Sequence, residues 1–374
     1  MIYFDNAATG GFKPQAAVSA AVNVIKYLSA NPGRSGHRLS VTGAKIVESA
    51  REIFSEKFNA SPFRVIFTKN CTEALNTAIL GTERRGRVIT TVYEHNSVYR
   101  PLNHLKEKGE IFLDVISPTE EKDIVAAIKE RITDDTCLIV CTAISNVTGE
   151  ELPIEKIGAL AKEKGITFIV DGAQAGGHKM IDMKKQNISA LCLAGHKGLG
   201  GIMGSGVLIL DDQTEVSPLL YGGTGTETFN LLQPQDYPEK LEAGTLNLPA
   251  IASLLEGFRY VSDNIERTEK LLINKTDRLI TGLKDIKGVK VYSSPNAGGI
   301  VSFLIEGLTS LEVADILNSE YDIAVRGGFH CAPLIHKFLG TDKTGLVRAS
   351  ISPQNSGQEE DYFISAIRRI CKTL

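Results

Sequence analysis

Short runs of β-branched and apolar residues at 64–67, 87–91, 137–142, 166–170 and 191–194 each end in a cluster of polar, glycine or titratable residues. Around them lie segments with helical character, including 14–28, the stripe Ile46, Val47, Ala50, Ile53 and Phe54, and 154–164. Runs this short and this apolar read as strands buried in a sheet. Strands alternating with helices predict an α/β fold, a parallel sheet covered by helices on both faces. In such sheets ligands bind outside the carboxyl ends of strands, where the polar clusters fall.

The stretch 166–210 concentrates the chemistry. Its first run leads to Asp171-Gly-Ala-Gln174, and its second delivers Gly195-His196-Lys197 into a glycine-rich turn. A lysine and a carboxylate at neighbouring strand ends suit pyridoxal 5′-phosphate. That cofactor needs an amine to bond its aldehyde carbon and an acid to keep its pyridine nitrogen protonated. Alone, Lys197 reads as a surface lysine; Asp171, Gln174 and His196 in register with it weigh against that.

These two motifs resemble those of the class V branch of fold-type I pyridoxal phosphate enzymes, which includes cysteine desulfurases and selenocysteine lyases. The likeness covers nearly the whole chain. It implies a large cofactor-binding domain, residues 14–255, around a mostly parallel seven-stranded sheet. A smaller α+β domain would comprise residues 1–13 and 256–374. A change of character agrees with this: a long charged helical segment, 265–283, precedes strand-like runs at 289–292, 300–305 and 321–325.

The 374 residues suit two domains, and 43% hydrophobic with 23% charged residues is an ordinary globular composition. A net charge of -3 gives no electrostatic case for nucleic acid or an anionic membrane. No apolar stretch approaches the ~18 residues that span a bilayer, and the N-terminus lacks a secretory pattern. Six cysteines with no C-x-x-C pair argue against a disulfide framework and a zinc site, so no metal is expected and a reducing cytoplasm is the natural compartment.

Further candidates follow the strand ends. The opening, with Asp5-Asn-Ala-Ala-Thr9, resembles a family turn near the active-site mouth, or is a cap ahead of the 14–28 helix. Arg34 and His37 lie in a Gly/Pro loop that borders the substrate channel in the family; a solvated basic loop is the alternative. Cys71 and Thr72 open a helix, where free N–H groups favour a phosphate; the same residue types also serve as plain caps. His95, in an EHNS motif, corresponds to the family imidazole over the pyridine ring and is a candidate for moving the substrate Cα proton. Asn146 matches an asparagine that contacts the cofactor O3′ and the substrate carboxylate, or is a turn residue before Gly149. The resemblance gives Asp171, Gln174, His196 and Lys197 to the cofactor. Thr245, in an EAGT-x-N segment, is implied to reach the phosphate of the other subunit of a homodimer; an N-cap is the plain reading. Ala194 stands where the desulfurase pattern has a phosphate-binding serine.

The reaction is chosen by Cys331. It follows a glycine turn beside His330 and near Arg326, a setting that favours a reactive thiolate. Arg326-Gly-Gly-Phe-His330-Cys331-Ala-Pro333 resembles the group II desulfurase motif, with Phe329 where histidine is common and without a residue often found between Ala and Pro. Arg348, near a strand end, is suited to clamp a carboxylate with two parallel hydrogen bonds. The implied reaction is desulfuration of L-cysteine. Arg348 and Asn146 (with Arg34 at the channel) hold the substrate, and Lys197 or His95 takes its Cα proton. The Cys331 thiolate then attacks the substrate sulfur, leaving a persulfide and L-alanine. The sulfur would pass to a protein acceptor, as in iron–sulfur cluster assembly. L-Selenocysteine as substrate, a class V aminotransferase acting on another amino acid, and a sulfur carrier with a vestigial pocket are the other readings.

Overall fold

The computed structural model describes residues 1–83, 85–119 and 123–373. In chain order its strands are β1 (Ile2–Tyr3), β2 (Val65–Thr68), β3 (Arg87–Thr91), β4 (Phe112–Ile116), β5 (Thr136–Thr142), β6 (Thr167–Asp171), β7 (Ala190–Ala194), β8 (Gly206–Leu210), β9 (Val289–Val291), β10 (Ile300–Ile305), β11 (Ile323–Ala324), β12 (Arg326–Gly328) and β13 (Leu346–Ser350). A seven-stranded sheet runs in the order β2-β8-β7-β6-β5-β3-β4. Neighbours are parallel except at β8, which is antiparallel to β2 and β7. Every residue of β5, β7 and β8 is buried, as it must be where helices cover both faces. The mostly parallel sheet expected from the sequence is present.

A four-stranded antiparallel sheet, β12-β13-β10-β9, follows in the C-terminal part, and β1 pairs in parallel with β11. Phe4 meets Phe363 and Phe363 meets Phe303 edge-on, with ring centroids 5.4 and 6.0 Å apart. Phe4, just after the first strand, is therefore packed into the core of the C-terminal sheet.

Helix Leu248–Ser262 lies against helices Gln15–Tyr27 and Arg38–Phe58, and Phe258 stacks on Phe54 at 4.4 Å. Its buried side runs from Leu248 to Ser262, so a division at residue 255 falls inside a helix. The strand expected over 321–325 is also shorter. A capping box of Thr309 and Glu312 starts the helix Ser310–Tyr321, and Asp322 ends it in the left-handed conformation with φ 54°, leaving two residues for β11.

Two glycine approaches shape the site. A Cβ on Gly198 would lie 2.3 Å from the Gly176 carbonyl, and one on Gly177, where φ is +82°, 2.2 Å from the Gly198 carbonyl. The turns that follow Asp171 and Lys197 thus touch backbone to backbone, which only glycine permits. Among the described residues no helix is long and apolar enough to cross a membrane.

Candidate active site

At the carboxyl ends of β5, β6 and β7 a cavity of about 100 Å³ is lined by Cys71, Thr72, His95, Asn146, Asp171, Gln174, His196 and Lys197, with Ser97 and Ala194 beside them. Asp171 ends β6 and is buried. Its Oδ1 accepts from the Ala173 N–H at 2.9 Å and from the Cys71 thiol at 3.6 Å, while Oδ2 has no hydrogen-bond partner among the described residues. Burial raises its pKa, opposed by the Ala173 N–H and by Lys197. Burial likewise depresses the pKa of Lys197, opposed by Asp171, so the amine is poised toward its neutral, nucleophilic form.

The phosphate end of such a site needs N–H donors. Asn70 caps the helix Cys71–Gly81 by accepting from the Glu73 N–H at 2.9 Å, which leaves the N–H groups of Cys71 and Thr72 free at the positive end of the helix dipole. The Thr72 hydroxyl meets the Ser97 hydroxyl at 2.8 Å. The Cys71 side chain turns away to Asp171, and burial pushes its thiol pKa well up; only its backbone N–H suits a phosphate. Gln174 donates to the Ala7 carbonyl at 3.1 Å, and His196 Nδ1 lies 3.1 Å from the Thr9 hydroxyl.

His95 caps the helix Asn96–Glu107, its Nδ1 accepting from the Ser97 N–H at 3.1 Å. A neutral ring that accepts at Nδ1 carries its proton on Nε2. Burial, with the charges of Lys197, Arg326, Arg348 and Arg100, pushes its pKa down to about 4. In this arrangement His95 is a neutral ring with its proton on Nε2.

Arg348 on β13 is buried. Its Nη2 donates to Asp5 Oδ1 and its Nη1 to the Asn146 carbonyl, both at 2.9 Å, and Nε has no partner. The Asn146 side chain donates to the His330 carbonyl at 2.8 Å. Asp5 is not a helix cap: the helix Gln15–Tyr27 starts at Pro14 without a side-chain cap.

Cys331 is exposed. It and His330 stand in succession in the left-handed region, at φ 56° and 49°, a conformation that non-glycine residues hold only when their surroundings impose it. Here the Asn96 N–H donates to the Cys331 carbonyl at 2.7 Å, Asn146 holds the His330 carbonyl, and His330 Nε2 donates to the Leu346 carbonyl at 3.0 Å. Burial and the charges of Arg348 and Arg326 keep His330 neutral, so it is not a cationic partner for the thiol as the motif alone suggested. His336, fully buried, backs the turn: its Nδ1 meets the Thr341 hydroxyl at 2.8 Å and its ring packs on Phe329 with centroids 5.4 Å apart.

Arg34 and Thr245 do not line this cavity. The Arg34 guanidinium donates to the Gly223 and Gly244 carbonyls at 3.2 Å, and the exposed Thr245 hydroxyl accepts from Asn31 at 3.4 Å. His37 is a structural cap, its Nδ1 accepting from the Ser40 N–H. Three residues at the site carried no individual role in the sequence, although Asp5 opens the turn that resembles one at the active-site mouth. Ser97 sits in the EHNS motif itself, Asp5 looked like a turn residue, and Lys13 gave no signal beyond preceding a proline.

The sequence matches the aminotransferase class-V family over residues 2–363. It is 33% identical to a probable cysteine desulfurase of Pyrococcus abyssi, covering 100% of this chain and 95% of that protein. It is 34% identical to a probable cysteine desulfurase of Methanothermobacter thermautotrophicus, covering 96% and 92%. The fold superposes on the apo structure of a cysteine desulfurase from Thermococcus onnurineus with a TM-score of 0.93 and 32% identity, over 100% of this chain and 95% of that one. With the lysine and the aspartate lining one cavity and the matches running over the whole chain, the family is placed: the chain belongs to the class-V aminotransferase family.

Proposed function

We propose that this protein is a pyridoxal 5′-phosphate-dependent cysteine desulfurase, converting L-cysteine to L-alanine and taking the sulfur onto Cys331. The observation that carries the reading is the Cys331 turn. An exposed thiol in an imposed backbone conformation is tied by Asn96 and Asn146 to the cleft that holds Lys197.

The cleft fits the cofactor. Among the described residues Lys197 Nζ has no hydrogen-bond partner, the buried Asp171 carboxylate keeps Oδ2 unpaired, and the helix at Cys71 presents free N–H groups. Lys197 would bond the aldehyde carbon and Asp171 the ring nitrogen. Thr72, Ser97, His196 and the Cys71 N–H would take the phosphate, Gln174 and Asn146 the ring substituent, and His95 would cover the ring face. Ser97 supplies a hydroxyl where Ala194 cannot. When bound, the cofactor supplies an electron sink for the substrate Cα.

The residues then divide the work. Arg348 pairs with the substrate carboxylate, held for it by Asp5. Lys197 Nζ takes the Cα proton, since His95 already carries a proton on Nε2. Cys331 Sγ attacks the substrate sulfur as its bond to Cβ breaks; the electron pair stays with carbon, which is protonated to alanine. The balance is L-cysteine plus Cys331–SH giving L-alanine plus Cys331–S–SH.

Exposed Thr245, with Arg34 beside it, and the exposed Tyr221, Phe229, Leu231 and Leu232 support a homodimer in which this surface completes the other subunit's site. A protein acceptor for the sulfur and a reducing, cytoplasmic setting agree with an exposed persulfide-bearing cysteine. Residues 1–13 together with the chain after helix Leu248–Ser262 form the smaller domain. The experiment is alanine release from L-cysteine in the presence of a reductant, for wild type and Cys331→Ala. Loss of alanine with an unchanged cofactor absorbance supports the reading. Inactivity of the wild type on L-cysteine despite bound cofactor rejects it in favour of an aminotransferase acting on another amino acid.

A further inference from the structure

One carbonyl near the site receives unusual attention. The His196 carbonyl, in the peptide that joins His196 to Lys197, accepts from the Gly10 N–H at 3.0 Å, the Thr9 hydroxyl at 3.3 Å and the Lys13 ammonium at 2.5 Å. All three donors belong to one segment, residues 9–13. Lys13 is partly buried and has no carboxylate partner among the described residues; the His196 carbonyl is its hydrogen-bond acceptor, and burial pushes its pKa down to about 8. A partly buried ammonium is costly unless it is hydrogen-bonded, and here the His196 carbonyl accepts from it.

The residues that lead into this segment, from Asp5 to Thr9, reach the rest of the cleft. Asp5 holds Arg348, the Ala7 carbonyl receives the Gln174 side chain, and the Thr9 hydroxyl meets His196 Nδ1. Two side chains diverge from the clamped peptide, His196 and Lys197, and both line the cavity. Fixing that peptide plane fixes the positions of both Cα atoms from which these side chains leave. A charge-assisted donor at 2.5 Å is the strongest of the three restraints.

We propose that Lys13 is a positioning residue for the cofactor lysine, acting through the His196 carbonyl to hold the 196–197 peptide. The proposal rests on Lys197 being the residue that bonds the cofactor. Losing a charge-assisted hydrogen bond that orients two cofactor ligands weakens cofactor binding by about tenfold or more.

The test is titration of cofactor-depleted full-length protein with pyridoxal 5′-phosphate, followed by absorbance, alongside thermal melting of the depleted protein. Lys13→Met is expected to bind at least about tenfold more weakly than wild type, with a melting temperature of the depleted form close to wild type. Lys13→Arg, which restores a charged donor, is expected within about threefold of wild type; Lys13→Gln, a neutral and gentler change, shows the loss if the methionine variant folds poorly. Undiminished affinity in the Met or Gln variant overturns the proposal, and so does an Arg variant as weak as Met. A wild type that binds no cofactor removes the reading of Lys197 itself. Wild-type binding matched by Lys13→Met removes only the role of Lys13.

Discussion

Arg348 and Asp5 are 343 residues apart and meet at 2.9 Å, with the guanidinium buried and the carboxylate half-buried. The pair aims the arginine: Nη2 is held by Asp5 and Nη1 by the Asn146 carbonyl. Asp5→Asn keeps an acceptor and removes the charge. We expect KM for L-cysteine to rise about tenfold with a smaller change in kcat, and stability to fall by roughly 2 kcal/mol. Steady-state kinetics and denaturant melts check both. An unchanged KM would show that Arg348 needs no partner to stay aimed.

His336 backs the turn that carries the thiol, through Thr341 and Phe329. Truncating a fully buried ring leaves a cavity, so His336→Ala should cost roughly 2–4 kcal/mol. Alanine release should fall further than cofactor affinity does, because the turn and not the cofactor cleft loses support. Equal losses in both would place His336 in the general core instead.

Protonation gives a third expectation. Burial holds His95 and His196 near pKa 4, and His178 with them, against 6.5 in an unfolded chain. The unfolded state therefore binds more protons between about pH 6.5 and 4, and stability is lost as the pH falls through that window. Melting temperature against pH shows this directly. Histidine NMR should show no protonation of His95 between pH 8 and 5; a midpoint near 6.5 would overturn the neutral-donor assignment.

Glu94 acts in the opposite sense. It is fully buried, its Oε1 accepts from the Thr91 hydroxyl at 2.6 Å, and Oε2 has no partner. Burial, with the Asp171 charge added, pushes its pKa up to about 8. The folded state then holds a proton that the unfolded state has shed, so stability falls as the pH rises from about 4.5 to 8. Glu94→Gln should be more stable than wild type by a few kcal/mol at pH 9 and similar to it at pH 4.5. Parallel curves for the two proteins would dismiss the buried carboxyl as a source of pH sensitivity.

Much of this was legible in the residues. The sheet followed from short apolar runs, because full burial on both faces leaves little room for polar side chains in β5, β7 and β8. Asp171 and Lys197 stood out because strand ends are where ligands bind, and the structure lines one cavity with both. What stayed hidden depends on contacts between distant segments. Asp5 reads as a turn residue until β1 pairs with β11 and brings it to Arg348. The proton on His95 is settled by the Ser97 N–H, a local bond that a motif does not display. The strand expected over 321–325 is shortened because the helix Ser310–Tyr321 ends only at Asp322, in a left-handed conformation that residue type alone does not require.

The pairing of β1 with β11, and of residues 5–7 with β13, also sets an order of events during synthesis. The seven-stranded sheet is complete once residue 210 has emerged. The first dozen residues must then wait, with Phe4 uncovered, until about 140 more have left the ribosome. Lys197 and Arg348 come under a common restraint only when that late strand closes over the early one, so the newborn chain acquires a folded sheet well before it acquires a working cleft.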